Sequence, residues 1–306
     1  MTTLSSRIEL ADFFSETADP ALMESADRGQ TELLDYRQLY ELWERQQWLT
    51  QELDFSVDRD QWRGFPDEER FQRMYGLSSF FIGEQKVTEE LGPMMRAAPT
   101  QDMQVFLATQ IADEARHVRF FDRFYAEVGV LESDSLAARL KETEKHLNPA
   151  FNVLFDEMLG ARVRTLADDP TNITALIEAV TLYHMVIEGM LALTGQHFII
   201  DFNEQEGTLP GFVQGFNLVA RDEHRHVAFG ARFLRDAVAE NPEHKATIQR
   251  TLEEAMQVAD AVLTPPWAAD QEDYEFFGVS VDETRDFAAQ ALTRRLKVIG
   301  LVPATH

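Results

Sequence analysis

The stretch Phe216-Asn-Leu-Val-Ala-Arg-Asp-Glu-His-Arg-His-Val-Ala-Phe229 constrains the architecture of this chain more tightly than any other. It places Glu223 and His226 three residues apart inside an apolar helical pattern. Residues at that spacing point the same way on a helix, so the pair offers a carboxylate and an imidazole to one point. Burying either group is costly unless it is paired, neutral or bound to metal. The stretch therefore predicts a core helix that carries part of a metal site.

A second stretch, Glu114-Ala-Arg-His117, repeats the spacing. Of the eight histidines in the chain, no other follows a glutamate at this distance. Chance would supply about one such pair in a sequence with this composition, so the spacing alone is weak evidence. The apolar context is stronger evidence, because Phe106, Leu107 and Phe120 flank the pair.

Two further apolar stretches each contain one isolated acid. Glu84 follows Ser78-Ser-Phe-Phe-Ile-Gly83, and Glu188 is the only acid in Leu182-Tyr-His-Met-Val-Ile-Glu-Gly-Met-Leu-Ala-Leu193. A bundle with a carboxylate-bridged metal pair needs two Glu-x-x-His helices and one glutamate from each of two further helices. The sequence therefore predicts an all-α, four-helix bundle with additional helices. Its predicted metal ligands are Glu84, Glu114, His117, Glu188, Glu223 and His226.

Other polar residues near these stretches are rival candidates for metal ligands. Glu89 and Glu90 lie near Gly92-Pro93 and are interpreted as solvent-facing residues at a helix end. His184, four residues before Glu188, is interpreted as a core histidine or a support for a ligand. His224 points away from Glu223 by about a quarter turn and is predicted to be exposed.

The prolines divide the chain into helical segments, and strand signals are nearly absent. Residues 1–30 form a polar N-terminal segment, and residues 31–300 are predicted to form a single helical domain. Residues 54–62 are predicted to form a connector. The predicted helices cover about 31–48, 66–93, 100–128, 134–144, 149–167, 169–202, 209–240, 242–263 and 281–299.

Composition excludes several classes of function. The net charge of −25 argues against a nucleic-acid partner, since phosphate binding needs clustered Lys and Arg. The chain has no cysteine, which removes disulfides, iron–sulfur clusters and thiolate zinc sites. We find neither a signal peptide nor an uncharged apolar stretch of the roughly eighteen residues that a membrane span needs. These features predict a cytoplasmic protein.

Three of these motifs carry a family resemblance, which covers roughly residues 33–240. They are Gly83-Glu-Gln-Lys-Val-Thr-Glu89, the segment from Tyr183 to Gly195, and Asp222-Glu-His-Arg-His226. They resemble the small subunit of ribonucleotide reductase. The likeness is greater to its ferritin-like relatives, the ligand-binding oxidases with a manganese–iron centre.

The oxidase subfamily is indicated by particular positions. Reductase small subunits that store a tyrosyl radical have a tyrosine four residues after the first ligand histidine, where this chain has Phe121. The oxidases instead join a valine and a tyrosine by an ether bond, and Val87 and Tyr183 occupy the matching positions. Either residue alone would be interpreted as ordinary core. Reductase small subunits also carry a tyrosine in the C-terminal tail, whereas this chain has none after Tyr274.

Tyr183 lies five residues before Glu188, which on a regular helix puts the two side chains about 140° apart. Both can face the same cavity only if the tyrosine side chain bends in or the helix is locally widened.

The resemblance implies a specific chemistry. It places manganese with Glu84, Glu114 and His117, and iron with Glu188, Glu223 and His226; a di-iron centre remains possible. It implies that dioxygen is activated for two-electron C–H oxidation. It further implies a bound long-chain fatty acid or similar apolar carboxylate, and a homodimer.

Residues outside the ligand set also have counterparts in the family. Trp48 matches a tryptophan that, together with Asp222, links the site to the surface, although packing explains a tryptophan equally well. Asp222 could also be a surface acid. Gly189, Ala192 and Leu193 could line a ligand tunnel or simply pack between helices.

Two other functions remain open at this point. One is a tyrosine-less ribonucleotide reductase small subunit, in which the metal centre itself stores the oxidising equivalent. The other is a non-catalytic metal-storage or fatty-acid-carrier protein.

Overall fold

The computed structural model describes residues 33–268, 270–271 and 273–301, so the predicted polar segment 1–30 lies outside the described residues. The described chain is almost entirely helical, which confirms the all-α class. Its ten helices are α1 Tyr36–Arg45, α2 Ser56–Gly64, α3 Asp67–Ala97, α4 Gln101–Val128, α5 Leu136–Thr143, α6 Pro149–Asp168, α7 Ile173–Glu206, α8 Pro210–Glu240, α9 His244–Leu263 and α10 Val281–Ile299.

Local sequence signals set several of these helix ends. Asp35 begins α1 by accepting a hydrogen bond from the Gln38 amide, and Ser280 begins α10 in the same way with Glu283. Such caps satisfy backbone N–H groups that lack a partner within the helix. Gly129 ends α4 in the left-handed conformation, at φ 81°, which glycine adopts without steric cost.

Several predicted boundaries are wrong. The helices predicted over about 31–48 and 169–202 span Tyr36–Arg45 and Ile173–Glu206. Residues 54–62, predicted as a connector, mostly belong to α2, which buries Asp58 and Trp62 on one face. The helix predicted to end near Pro93 continues to Ala97. Proline removes one backbone hydrogen bond from a helix interior. Burial of Leu91 and Met94, on either side of the proline, offsets that cost.

Two helices contain widened, π-helical turns. These turns span Val153–Leu159 within α6 and Thr181–Ala192 within α7. The second segment contains both Tyr183 and Glu188, so of the two alternatives left open by the five-residue spacing the structure shows the widened helix. Widened turns of this kind occur frequently at functional sites.

A short hairpin precedes α10. Its strands, β1 Glu275–Phe276 and β2 Val279–Ser280, pair antiparallel across a two-residue turn, Phe277-Gly278. Both turn residues have positive φ, 49° and 73°. The sequence analysis did not predict this hairpin, because its strands are too short to show an alternating pattern.

Helices α3, α4, α7 and α8 form the four-helix bundle, and α9 and α10 pack against the widened turn of α7. The buried apolar side chains form two layers. One layer is rich in phenylalanine and includes Phe121 and Phe216; the other includes Val87 and Tyr183. Along α3, α4 and α8 the chain passes from one layer to the other near Glu84, His117 and Glu223. The polar cluster therefore lies between the two apolar layers.

One helix in the described part of the chain, α7, is long and apolar enough to cross a membrane. Within its most apolar window 83% of the residues are buried inside the bundle, as expected for a core helix.

Candidate metal centre

The structure brings all six predicted ligands together in the bundle core. Every one of these side chains is buried. The ligand atoms form two groups, and within each group they lie within 4.8 Å of one another. The groups are Glu84, Glu114, His117 and Glu223, and Glu114, Glu188, Glu223 and His226.

Two glutamates belong to both groups, which identifies them as the carboxylates able to bridge two metals. The Nδ1 atom of His117 lies 3.2 Å from Glu114 and 3.3 Å from Glu223. The Nδ1 atom of His226 lies 3.2 Å from Glu114 and 3.4 Å from Glu223. The prediction had assigned each of these glutamates to a single metal. Sharing depends on distances between helices, and spacing along one helix does not reveal these.

The other ring nitrogen of each histidine faces an aspartate. His117 Nε2 lies 3.3 Å from Asp222, and His226 Nε2 lies 3.2 Å from Asp113. Metal-ligating histidines commonly donate their second N–H to a carboxylate, which fixes the tautomer and the ring orientation. Asp222 is fully buried, so the alternative of a surface acid is excluded.

Two arginines hold these aspartates in place. Arg225 donates to Asp222 at 2.6 Å and to Asp113 at 2.9 Å, and Arg116 bonds the same two carboxylates. We call these four residues the Asp–Arg ring. It connects α4 to α8 behind the two histidines. Asp113 and both arginines were not predicted from the sequence, although the repeated pattern Asp-Glu-x-Arg-His indicates them.

Burial and mutual charge shift the titration of the ligands. Burial raises the pKa of Glu84 well above its ordinary value, and burial together with the charge of Glu223 does the same for Glu188. Burial also acts on Glu114, but His226 and His117 outweigh it and hold that pKa well below the usual range. Facing carboxylates likewise overcome burial and raise the pKa of His117 and His226.

The donor set fits a pair of hard divalent cations. Four carboxylates balance the four positive charges of two such ions, and oxygen-rich sets with imidazole suit iron and manganese. Glu114 Oε2 and Glu188 Oε2 are buried and have no hydrogen-bond partner within the described part of the chain. A buried polar atom without a partner is costly, and a bound metal would satisfy both atoms.

Tyr183 lies directly against this cluster. Its O–H donates to Glu114 Oε1 at 2.7 Å, and the Gln110 side-chain amide donates to the Tyr183 oxygen at 3.2 Å. The same amide donates to Glu188 Oε1 at 3.0 Å. Gln110 therefore holds the phenol and a predicted ligand together. Burial, together with the charges of Glu114 and Glu188, raises the pKa of Tyr183 well above its ordinary value, so the phenol keeps its proton.

Comparison with known proteins identifies the family. The model of the ribonucleotide reductase small chain matches residues 31–304. The chain belongs to that family. Family and cluster together make it an oxidoreductase with a dinuclear metal centre.

Solved structures similar to this chain include R2-like ligand-binding oxidases. A valine-to-isoleucine variant with an aerobically reconstituted Mn/Fe cofactor is 25% identical, with a TM-score of 0.76 over 91% of this chain and 99% of the other. A glycine-to-leucine variant with an anaerobically reconstituted Mn/Fe cofactor is also 25% identical, with a TM-score of 0.77 over 91% and 98%. The resemblance to this subfamily is thus confirmed at the level of the structure.

A cavity of about 160 Å³ adjoins the centre. Glu84, Glu114, Glu188 and Glu223 line one end, and most of the remaining lining is apolar. Val87 and Tyr183 both face it, together with Ala192. Of the other two predicted tunnel residues, neither Gly189 nor Leu193 is part of the lining. Gly189 instead packs against His184 and Arg295, where an added Cβ would lie 2.7 Å from the His184 carbonyl oxygen.

Two tryptophans join the aspartates of the Asp–Arg ring. Trp48 donates its indole N–H to Asp222 at 2.7 Å, so the predicted link through Trp48 is present. Trp43 donates in the same way to Asp113 at 2.9 Å, and the sequence analysis did not anticipate it. Each metal-facing histidine therefore connects through an aspartate to an indole on the α1 side of the bundle.

The rival candidates for metal ligands lie outside the two groups of ligand atoms. Glu89 is exposed as predicted, whereas Glu90 is half-buried. His184 is a core histidine, 3.2 Å from Gln110, and burial lowers its pKa to about 3. His224 was predicted to be exposed, and this is wrong. It is half-buried because α10 packs against α8, and burial together with the nearby Arg295 charge lowers its pKa to about 4.

Proposed function

We propose that this protein is a manganese–iron oxidase that uses dioxygen for a two-electron oxidation of a C–H bond. Glu84, Glu114 and His117 would hold manganese, and Glu188, Glu223 and His226 would hold iron. Glu114 and Glu223 belong to both groups of ligand atoms and would contact both metals. The buried donor set and the Mn/Fe cofactors of the similar oxidases support this assignment. When bound, the metal pair would supply the two electrons that activate dioxygen.

The polypeptide orients the ligand side chains and keeps water away from the metals. The Asp–Arg ring fixes the two imidazoles, so that Nδ1 of each points at the carboxylates. The apolar layers above and below the cluster keep water from the site, which strengthens every electrostatic interaction inside it. Gln110 donates to the Tyr183 oxygen and Glu114 accepts from the Tyr183 O–H, so the two side chains together orient the phenol.

The natural occupant of the cavity would be an apolar carboxylate such as a long-chain fatty acid. Its head group would meet the metals at the glutamate-lined end, and its tail would contact the apolar walls. Each buried methylene contributes about 0.8 kcal/mol, so a long tail would remain bound through purification. Organic extraction followed by mass spectrometry would identify it, and finding no lipid would remove this part of the proposal alone.

The observation that carries the oxidase assignment is the position of Tyr183 and Val87. Both side chains face the metal end of one cavity, on helices α7 and α3. We propose an ether bond between the Tyr183 oxygen and the β-carbon of Val87. Its formation breaks one O–H and one C–H bond, and the two electrons and two protons pass to dioxygen. A valine β C–H is a strong bond, so its cleavage would record the oxidising power of the centre.

The ether bond predicts a distinct peptide map. Cleavage after lysine and arginine should release the segment Val87–Arg96 joined to the peptide that contains Tyr183. Its mass should be two hydrogens below the sum of the two parts. Protein prepared without metal or oxygen, and the Tyr183→Phe variant, serve as controls that should lack the link. A free Val87 peptide in full yield, from metal-loaded and oxygen-exposed protein, would contradict the oxidase assignment.

That outcome would favour the alternative, a reductase small subunit without a radical tyrosine. The buried phenylalanine at position 121 fits either function. Copurification with a large subunit would support the reductase. A third possibility, a non-catalytic storage or carrier protein, predicts no sustained oxygen uptake when the reduced metals are supplied. Growth in mixed metals tests the cofactor: recovery of iron alone with manganese in excess would contradict the manganese assignment.

A further inference from the structure

The hairpin β1–β2 lines the part of the cavity near Gly76, about two helical turns along α3 from Glu84. Phe276, Phe277 and Val279 line it there, together with Tyr75 and Thr284. We propose that this hairpin determines the length of ligand that the protein accepts, and that the Phe277 ring is the stop for the tail. The inference rests on the proposed function, since it assumes that an apolar carboxylate occupies the cavity.

The lining gives the ligand a direction. The four acidic side chains of the metal cluster lie at one end, where a carboxylate head group could reach bound metal. The hairpin end is lined mostly by aromatic and aliphatic side chains. A carboxylate with an alkyl tail therefore fits in one orientation, and its terminal methyl group points toward the hairpin.

The backbone of Phe277 adopts an unfavourable conformation while its ring lines the cavity. Its φ of 49° lies in the left-handed region, which is sterically unfavourable for any residue other than glycine. Strained residues of this kind persist only where surrounding contacts fix them, and they concentrate at ligand sites. A glycine would form this turn without strain, so the ring itself accounts for the presence of phenylalanine.

The contact that fixes the ring is on α3. Gly76 lines the cavity, and a Cβ at that position would lie 2.7 Å from the Phe277 ring. The ring therefore sits in a hollow that only glycine leaves open. Phe202 and Phe276 hold it on other sides, with ring centroids 5.5 Å and 4.4 Å away.

The hairpin is also anchored at its base. The Val281 amide donates to the Tyr274 carbonyl at 3.2 Å, and Ser280 begins α10 with its capping box. The Phe276 ring packs on Tyr75 and Trp267, at centroid distances of 5.7 Å and 6.0 Å. The hairpin is therefore packed and hydrogen-bonded onto the rest of the fold, as a fixed limit on ligand length requires.

The test measures dissociation constants of straight-chain saturated monocarboxylic acids of increasing length for the metal-loaded protein. In the wild type, affinity should rise roughly fourfold per methylene until the tail meets the ring, and then level off. Phe277→Gly removes the ring and the backbone strain, so the break point should move to longer acids. Phe277→Leu keeps an apolar side chain and should give a smaller shift. Phe71→Ala, at an exposed phenylalanine on the same helix as Gly76, is the matched control and should leave the break point unchanged.

The outcomes separate the two proposals. An unchanged break point in both Phe277 variants, with normal metal content, would overturn the role of the hairpin while leaving the oxidase intact. If no acid of any length bound the metal-loaded wild type, the assigned occupant and the hairpin's role would both be wrong. Metal content and the peptide map would then still test the oxidase independently.

Discussion

Replacing Arg225 by methionine tests whether the Asp–Arg ring is needed to hold the centre together. Arg225 is buried and forms ion pairs of 2.6 Å and 2.9 Å with two carboxylates that are themselves buried. Methionine retains most of the volume but leaves Asp222 and Asp113 with one guanidinium between them. Breaking a buried ion pair by removing one partner costs about 3–5 kcal/mol. Two carboxylates depend on this cation, so we expect a loss near the upper end.

The assay is urea unfolding of the metal-free protein, so that metal loss does not contribute. Arg37→Met is the matched control, because it breaks an exposed Arg37–Glu41 pair of 3.0 Å on α1. Such surface pairs contribute only about 0.3–0.5 kcal/mol. Arg225→Lys keeps the charge without the planar fork and should fall between the wild type and Arg225→Met. Equal losses for Arg225→Met and Arg37→Met would refute the role assigned to the ring.

Three further predictions concern the ligands and the bundle. Glu188→Ala removes an oxygen ligand and should lose at least one metal by elemental analysis; two metals per chain would contradict the assignment. Asp58→Ala removes two hydrogen bonds to backbone amides at the start of α8 and should cost about 2 kcal/mol in urea unfolding. The exposed Asp60→Ala should cost less than about 0.5 kcal/mol, and equal losses would exclude the capping role. Burial raises the pKa of Glu84, so its proton must leave on metal loading. Adding metal to lightly buffered apo-protein should therefore acidify the solution, and apparent affinity should fall as pH falls; a constant pH would contradict this.

The four-helix bundle and its metal-ligand cluster could be predicted because each produces a residue pattern within single helices. Helical periodicity over α4 and α8 is long and strong, and it fixed both helices to within one residue. Glu188 stood out because an isolated acid in an apolar helix is costly unless something binds it. The five-residue spacing to Tyr183 also indicated that either the tyrosine side chain bends in or α7 is widened there, and α7 is widened.

What the sequence did not reveal depends on contacts between helices. Asp58 accepts hydrogen bonds at the start of α8, which lies about 150 residues further along the chain. The residues around Asp58 in the sequence contain no pattern that indicates this contact. The sharing of Glu114 between two metal positions likewise depends on how α4 and α8 approach each other. The hairpin escaped notice because Phe277 occupies a turn position that sequence preferences assign to glycine or asparagine.

The position of the carboxylate cluster between two apolar layers has a consequence for the folding equilibrium. Four acidic side chains meet where the two halves of the core join. Metals that bind only the native chain shift that equilibrium by mass action, by about 2.7 kcal/mol per site at a free concentration one hundred times the dissociation constant. Bound metals would thus also stabilise the fold, and the free energy of unfolding would report the free metal concentration.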